Sequence, residues 1–310
     1  MKGDNTSTAC SLPECSGHLK KITQEMQGAI VGQQDVIDQL LVALLAGGHV
    51  LLEGVPGIAK TLIIRSLSRC LDCNFARIQF TPDLLPADIT GTRIFDRNTG
   101  TFSTEKGPIF HNFILADEIN RAPPKVQSAL LEAMQERQVT IQGETWALDA
   151  PFFVLATENP IESEGTYPLP EAQLDRFMFK VLMTHPGLED EIKILERYTG
   201  SAGVVPQKIV DSGEILAMQA LTRSIRTERR VLQYAAGIVD ATRHPDRYSL
   251  GFEDYVAYGA SPRASLALVL GGKARAVMNE RAYVIPEDIK AVAPAALRHR
   301  ILLTFEAETD

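Results

Sequence analysis

A chain of 310 residues is long enough for one large α/β domain and a smaller second domain, because single hydrophobic cores rarely grow beyond about 250–300 residues. With 45% hydrophobic and 23% charged residues, the composition excludes a disordered or fibrous protein. The formal net charge of −8 provides no general field that would attract phosphate backbones or anionic lipid. We therefore predict no nucleic-acid partner.

No apolar run approaches the roughly 20 residues that cross a bilayer, and the first ten residues lack the basic-then-apolar order of a signal peptide. We therefore predict no membrane insertion and a cytoplasmic location. Cys70 and Cys73 form a C-x-x-C pattern, which occurs in redox and zinc sites. Because Cys70 ends a predicted helix and Cys73 precedes a strand, we interpret them as small apolar residues, and Cys10 and Cys15 likewise.

Residues 1–24 are rich in Ser, Thr, Gly and Pro and are predicted to form a weakly ordered leader. From residue 30 onward, apolar pairs recur at helical spacing and short apolar runs indicate buried strands. Strands that alternate with helices imply a parallel sheet covered on both faces, and we predict five of them. The predicted strands are 49–53, 76–80, 113–116, 152–156 and 177–181, and helices include 61–70 and 125–137.

After residue 185 the strand signal fades, so we predict an α/β domain over residues 25–185 and a helical domain over residues 186–310. Turn signals in residues 91–110 and 139–151 predict two hairpin or loop insertions in the first domain. The helices predicted in the second domain are 189–198, 224–242, 263–278 and one that begins at Pro286.

A glycine-containing segment between the first predicted strand and helix has the context of a phosphate-binding P-loop. Glycines let the chain curl so that backbone N–H groups face an anion at a helix N-terminus. Lys60 is suited to the β/γ-phosphates, and the Thr61 hydroxyl to Mg²⁺. Ala59 stands where glycine is usual, and alanine is acceptable there if the residue has helical φ and ψ. The segment consists of Gly54, Val55, Pro56, Gly57, Ile58, Ala59, Lys60 and Thr61.

The run Phe113–Ala116 ends in paired carboxylates, Asp117 and Glu118. An acid at the carboxyl end of a parallel strand faces the ligand crevice of the sheet. Asp117 is suited to holding Mg²⁺ through water, and Glu118 to orienting or deprotonating a water in line with the γ-phosphate. By itself the pair could also be a solvated strand end.

Together these residues resemble MoxR-type AAA+ ATPases, over roughly residue 30 to the end of the chain. Alanine before the lysine is usual in that family. The resemblance implies an αβα P-loop domain followed by an all-helical lid domain. The motifs that carry it are Glu53–Thr61, Arg77–Pro86, Ala116–Lys125 and Leu131–Arg137.

The resemblance also implies roles for further residues. Asn159 is expected to be the sensor-1 residue beside the lytic water, and Arg176 the arginine finger that reaches a neighbouring subunit's nucleotide. Arg263 resembles the sensor-2 arginine, which contacts nucleotide from the lid. By itself, Arg176 could instead form a surface ion pair with Asp175 or Glu171. Adenine and phosphate contacts are implied for Val31, Gly32 and Leu62.

The resemblance implies Mg²⁺-dependent hydrolysis of ATP to ADP and phosphate in a ring, as a hexamer. Closure of the lid would bring Arg263 and the neighbour's Arg176 to the γ-phosphate. The family commonly matures protein complexes, so we expect a protein client and a partner with a von Willebrand factor A domain.

Three other classes of enzyme and one class of binding protein are alternatives to this interpretation. The motor subunit of a metal chelatase has a similar architecture but fits the motifs less well. A sigma-factor activator would need a Gly-Ala-Phe-Thr-Gly-Ala loop and a GTPase an Asn-Lys-x-Asp element, and the sequence contains neither. A nucleotide-gated scaffold with little turnover would not need Glu118, Asn159 and Arg176 together.

Overall fold

The computed structural model of the protein describes residues 10–55, 57–97, 100–160, 165–199, 205–251 and 253–309. None of the helices in these ranges is both long and apolar enough to cross a membrane. The α-helices are α1 (Leu12–Ala29), α2 (Gln34–Ala46), α3 (Lys60–Cys70), α4 (Pro86–Thr90), α5 (Pro124–Glu136), α6 (Glu171–Leu174), α7 (Leu188–Thr199), α8 (Ser212–Ser224), α9 (Arg229–Arg243), α10 (Pro262–Met278), α11 (Pro286–Leu297) and α12 (Phe305–Thr309). The strands are β1 (Val50–Gly54), β2 (Phe75–Gln79), β3 (Gly91–Asp96), β4 (Thr101–Lys106), β5 (Phe113–Asp117), β6 (Gln138–Ile141), β7 (Glu144–Ala147), β8 (Phe153–Glu158), β9 (Phe179–Met183), β10 (Val256–Tyr258) and β11 (Leu302–Leu303).

The central element is a parallel sheet of five strands in the order β2-β5-β8-β1-β9. Side chains that alternate along β1, β5 and β8 enter two separate apolar cores. Along β1, Val50 and Leu52 belong to the first core and Leu51 to the second. Burial on both faces is typical of a parallel sheet covered by helices, so the predicted αβα layers and the five strands are confirmed.

Two β-hairpins interrupt the alternation of strands and helices where the turn signals predict them. β3 pairs with β4 in antiparallel register, and β6 pairs with β7. On the first hairpin Ile94, Phe95 and Phe102 are 45%, 50% and 60% exposed. This hairpin therefore presents apolar side chains to solvent.

The C-terminal part of the chain is mainly helical, as predicted, with two differences. A helix that we did not predict, α8, precedes α9, and α9 begins at Arg229 rather than Ser224 because Arg226 forms a β-bridge with Tyr283. The short strands β10 and β11 also pair. These strands are a small addition to a helical lid, and strands of two or three residues are too short to leave a periodic signal in the sequence.

The apolar core continues across the predicted domain boundary at residue 185. Helix α10 packs against α2, α8, α9 and α11. On α10, a Cβ added to Gly271 would lie 3.0 Å from Cζ of Phe179 on β9. Lid helices and the edge strand are thus in close contact, while the division into residues 25–185 and 186–310 stays a prediction.

Helix α1 differs from the weakly ordered leader predicted over residues 1–24. Leu19, Ile22 and Met26 are buried at a spacing that puts them on one helix face, and they belong to the first core. The prediction of a leader was based on the Ser, Thr, Gly and Pro content of the first residues and did not take this periodicity into account. Residues 1–9 lie outside the described residues.

The four cysteines, all in the described part of the chain, are free thiols. Burial raises the pKa of Cys70 to about 12 and that of Cys73 to about 11. No group of three or more potential metal ligands occurs in the described ranges. Cys70 is buried and Cys73 is half-buried, as small apolar side chains beside a core would be.

The docking of α1 predicts that Ile22→Ala lowers the free energy of unfolding by about 2–5 kcal/mol, because it leaves a cavity at a side chain that is 1% exposed. Lys21→Ala removes an exposed side chain from the same helix and should cost less than about 0.5 kcal/mol. Urea unfolding followed by circular dichroism measures both. Equal stability of the two variants would show that α1 does not belong to the cooperative core.

Candidate functional site

A cavity of about 900 Å³ lies beside the carboxyl ends of β1, β5 and β8. This edge of a parallel α/β sheet is where ligands bind, and the volume is within the usual range of about 300–1,000 Å³ for ligand sites. Gly54 and Val55 precede the lining segment, and Pro56 lies outside the described residues. The predicted site residues that line the cavity are Val31, Gly57, Ile58, Ala59, Lys60, Thr61, Leu62, Asp117, Glu118 and Asn159.

The loop between β1 and α3 forms the centre of this cavity. Gly57 has a φ of +85°, which glycine adopts without steric cost. Lys60 begins α3, and its Nζ donates hydrogen bonds to the carbonyl oxygens of Gly54 and Glu158, the second at 3.1 Å. The ammonium group and the N-terminus of α3 are thus placed where they would attract an anion.

Ala59 corrects one step of the sequence argument. We expected alanine to be acceptable because the residue would have helical φ and ψ, but Ala59 is left-handed, with φ 64° and ψ 23°. This conformation costs an L-residue about 1–2 kcal/mol relative to the right-handed one. The phosphate-binding loop therefore holds a strained alanine just before its lysine.

Asp117 and Glu118 are fixed by one hydroxyl group from the neighbouring strand. Thr157 Oγ1 donates to Asp117 Oδ1 at 2.7 Å and accepts from the Glu118 backbone N–H at 2.9 Å. Glu118 has a φ of +56°, so the chain turns sharply after β5. The two carboxylates consequently point in directions set by Thr157 and by this turn.

Three side chains that the sequence analysis gave no role bind these carboxylates. Arg77 Nε and Nη2 donate to Asp117 Oδ2 at 3.0 and 2.7 Å. Gln79 Nε2 donates to Glu118 Oε2 at 2.9 Å, and Arg121 pairs with the same oxygen at 3.1 Å. In parallel register Gln79 lies opposite Asp117, so the pairing of β2 with β5 was the signal that would have revealed these contacts.

Asn159 directly follows β8, is 5% exposed and lines the cavity. Beside it, burial raises the pKa of Glu158, and the nearby Lys180 opposes this shift. On the adjacent strand, Glu53 pairs with Lys180 at 2.5 Å. The carboxylate of Glu158 therefore forms a charged cluster with Lys180 and Glu53 near the end of β1.

Apolar and aromatic side chains also line this cavity. They include Val31, Ile194 and Tyr198, the last two from α7. Contact with such side chains suits a planar base. Gly32 lines a neighbouring cavity instead, with a φ of +68°, and a Cβ there would come within 2.9 Å of the Asp190 carboxylate.

Arg176 lies at the edge of the sheet formed by the amino ends of the strands, whereas this cavity lies at the edge formed by their carboxyl ends. β9 runs parallel to β1, with Phe179 opposite Val50 and Met183 opposite Gly54. Because a strand advances about 3.3 Å per residue, about 13 Å of strand separates the start of β9 from the level of the loop. Arg176 precedes β9 and lines a separate cavity of about 380 Å³ beside α5.

The alternative role for Arg176, an ion pair with Asp175 or Glu171, is not seen in the described residues. Asp175 pairs instead with Arg263 and Arg300. The Arg176 guanidinium therefore keeps its charge available at this edge.

Arg263 corrects a second expectation, since it does not line the large cavity. Its Nη1 lies 3.3 Å from Asp175 Oδ2, and its Nη2 donates to Gln135 Oε1 at 3.4 Å. Gln135 lines the smaller cavity together with Arg176. Because its partner Asp175 directly precedes Arg176, Arg263 lies near Arg176 rather than at the loop of its own subunit.

The residues of the large cavity fit Mg·ATP. The Thr61 hydroxyl and the Asp117 carboxylate line the same cavity, and Mg²⁺ prefers such oxygen ligands. Lys60 and the N-terminus of α3 suit the phosphates. The side chains of Val31, Ile194 and Tyr198 suit the base.

The strand order, the loop after β1 and the acid pair after β5 define a P-loop ATPase domain of the AAA class. The family model "ATPase family associated with various cellular activities (AAA)" matches residues 49–179. A second model, "AAA lid domain", matches residues 251–310. The α/β fold and the helical C-terminal region therefore have the expected class.

Relatives that match over most of the chain identify the family within this class of ATPases. The chain is 48% identical to Chaperone MoxR1 of Mycobacterium tuberculosis over 298 residues, which cover 94% of this chain and 78% of that protein. It is 30% identical to Protein MoxR of Methylorubrum extorquens, with coverage of 91% and 87%. A crystal structure from Cytophaga hutchinsonii matches with a TM-score of 0.90 and 48% identity over 96% of this chain and 91% of that one. The chain belongs to the MoxR family of AAA+ ATPases.

The double role of Thr157 predicts that Thr157→Val, which keeps the shape but removes the hydroxyl, lowers the free energy of unfolding by about 1–3 kcal/mol. The Glu118 N–H loses its acceptor, and Asp117 loses a donor. Thr184→Val changes an exposed side chain and should be neutral. Urea unfolding without ligand provides the comparison, and equal values for both variants would contradict the assigned role.

Proposed function

We propose that this protein hydrolyses ATP with Mg²⁺ at a site shared between two subunits of a ring, and thereby remodels a protein client. One observation carries the proposal. Lys60, Asp117, Glu118 and Asn159 converge on one cavity, whereas Arg176 lies at the opposite edge of the same subunit. Each subunit thus contributes one half of a site on each side.

Nucleotide binding begins with an exchange of partners at Lys60. The ammonium group leaves the carbonyl oxygens of Gly54 and Glu158 for the β/γ-phosphates, which carry full negative charge. Thr61 and Asp117 would hold Mg²⁺, which would neutralise charge on the phosphates.

Glu118 then orients and deprotonates the attacking water. It must first release Gln79 and Arg121, which bind its carboxylate in this structure. The Asn159 amide both donates and accepts hydrogen bonds, so it is suited to holding the same water in line with the γ-phosphate.

The charge that develops on the γ-phosphate is neutralised from the neighbouring subunit. Arg176 provides a planar guanidinium for this purpose, an effect worth about 10³–10⁵ in rate in other nucleotide hydrolases. Arg263 lies beside the same edge, since both arginines neighbour Gln135. We therefore propose that both act on the neighbour's nucleotide, and that lid movement shifts both together.

The ring is proposed to be a hexamer that acts as a chaperone-like maturation factor, with a von Willebrand factor A domain protein as partner. The M. tuberculosis relative is named as a chaperone. The exposed apolar hairpin of β3 and β4 supports contact with a protein client.

A nucleotide-gated scaffold with little turnover is the second candidate function. The specific observation in its favour is that Arg77 and Arg121 occupy the two acidic side chains on which hydrolysis depends. Such pairing would allow ATP to bind while hydrolysis stayed slow.

Glu118→Gln distinguishes the two functions. Hydrolysis predicts a loss of about 10²–10⁴ in kcat with Mg·ATP affinity nearly intact, because only the base is removed. Glu287→Gln, which removes an exposed carboxylate from α11, should leave kcat unchanged. Phosphate release and titration with a fluorescent nucleotide measure the two quantities. Equal slow release by the wild type and Glu118→Gln would favour the scaffold.

Subunit mixing tests the shared site. Arg176→Ala and Lys60→Ala should each be inactive alone, whereas equal mixtures should recover part of the turnover at interfaces that combine an intact Lys60 with an intact Arg176. Sedimentation of labelled subunits confirms that mixed rings form. Mixed rings that remain inactive at every ratio would show that Arg176 does not act across the interface.

A further inference from the structure

A buried arginine that follows α11 forms hydrogen bonds to the residues on both sides of Arg176, the proposed arginine finger. The Arg300 side chain is 2% exposed, and its Nε donates to Asp175 Oδ1 at 2.7 Å. Its Nη2 donates to the backbone carbonyls of Asp175 at 3.1 Å and Phe177 at 2.6 Å, and its Nη1 to that of Met178 at 3.0 Å. One guanidinium therefore fixes the backbone immediately before and after Arg176.

The same contact occupies the carboxylate that lies beside the finger in sequence. Asp175 Oδ1 accepts from Arg300 and from Ser261 Oγ, the latter at 2.9 Å. Asp175 Oδ2 lies 2.8 Å from Ser261 Oγ and 3.3 Å from Arg263 Nη1. With these partners Asp175 is directed toward the lid, and within the described ranges it forms no ion pair with Arg176.

An ion pair between Asp175 and Arg176 would compete with phosphate binding by Arg176. Carboxylate and phosphate both bind the planar guanidinium in two-point contact, so they compete for the same N–H donors. A buried ion pair usually adds little stability over an apolar replacement. The Arg300–Asp175 pair is therefore better explained by the geometry that it imposes than by the stability that it adds.

We propose that Arg300 is a positioning residue for the arginine finger. It fixes the backbone around Arg176, keeps Asp175 away from the finger and, through Asp175, ties the finger to Ser261 and Arg263 at the start of α10. The proposal rests on the proposed function, in which Arg176 acts on the nucleotide of a neighbouring subunit.

Arg300→Met tests this role by removing every hydrogen bond of the guanidinium while keeping a long side chain. We expect kcat to fall roughly tenfold or more, because small misplacements of a catalytic group have large effects on rate. The KM for ATP should stay unchanged, because the subunit's own cavity lies at the other edge of the sheet. Arg281→Met breaks another ion pair of the lid, with Asp288, and should leave kcat unchanged.

Subunit mixing separates positioning from general damage. Arg300→Met mixed with Lys60→Ala should recover turnover, because Lys60→Ala supplies an intact finger to the intact cavity of Arg300→Met. Arg300→Met mixed with Arg176→Ala should not exceed the low turnover of Arg300→Met alone, because neither subunit supplies a correctly positioned finger. Wild-type kcat in Arg300→Met, or turnover in the second mixture equal to that in the first, would overturn the proposal.

Two results keep this test separate from that of the proposed function. If Arg176→Ala fails to complement Lys60→Ala, the shared site itself is wrong, and the role of Arg300 falls with it. If that pair complements while Arg300→Met does not complement Lys60→Ala, only the role of Arg300 is overturned. Should Arg300→Met fail to assemble, Ser261→Ala decides by the same mixtures: a lower kcat that Lys60→Ala restores supports the proposal, and wild-type kcat overturns it.

Discussion

The parallel pairing of β1 with β9 determines where each half of the site lies. The phosphate-binding loop follows the carboxyl end of β1, and the proposed finger precedes the amino end of β9, so the two lie at opposite edges of one sheet. Rotation of the Arg176 side chain cannot cover a separation of about 13 Å along the strand in addition to the residues that connect it. In the proposed mechanism, the dependence of hydrolysis on assembly follows from strand direction.

Ion pairs hold the charged groups of both halves in defined positions. Arg77 binds Asp117 at the cavity, and Arg300 binds Asp175 at the finger. In the proposed mechanism, the bonds at the cavity are exchanged when Mg·ATP binds, whereas the bonds beside Arg176 persist. The same kind of interaction would then restrain Asp117 at one end of the strands and position Arg176 at the other.

Much of the fold and of the cavity could be predicted from the sequence, because buried parallel strands are continuous apolar runs and the phosphate loop is a local motif. What depends on tertiary packing could not. The contact of Arg263 with Asp175 places it near Arg176 rather than in the cavity, and the register of β2 against β5 brings Arg77 to Asp117. The left-handed φ of Ala59 is likewise invisible in a pattern of residue types.

We propose that a complete hydrolytic site exists only between two subunits. Phosphate release per subunit can be measured with Mg·ATP across a range of protein concentrations while sedimentation follows assembly. Turnover per subunit should rise with concentration in parallel with the fraction of assembled rings. Turnover that stays constant down to concentrations at which the protein is monomeric would contradict it.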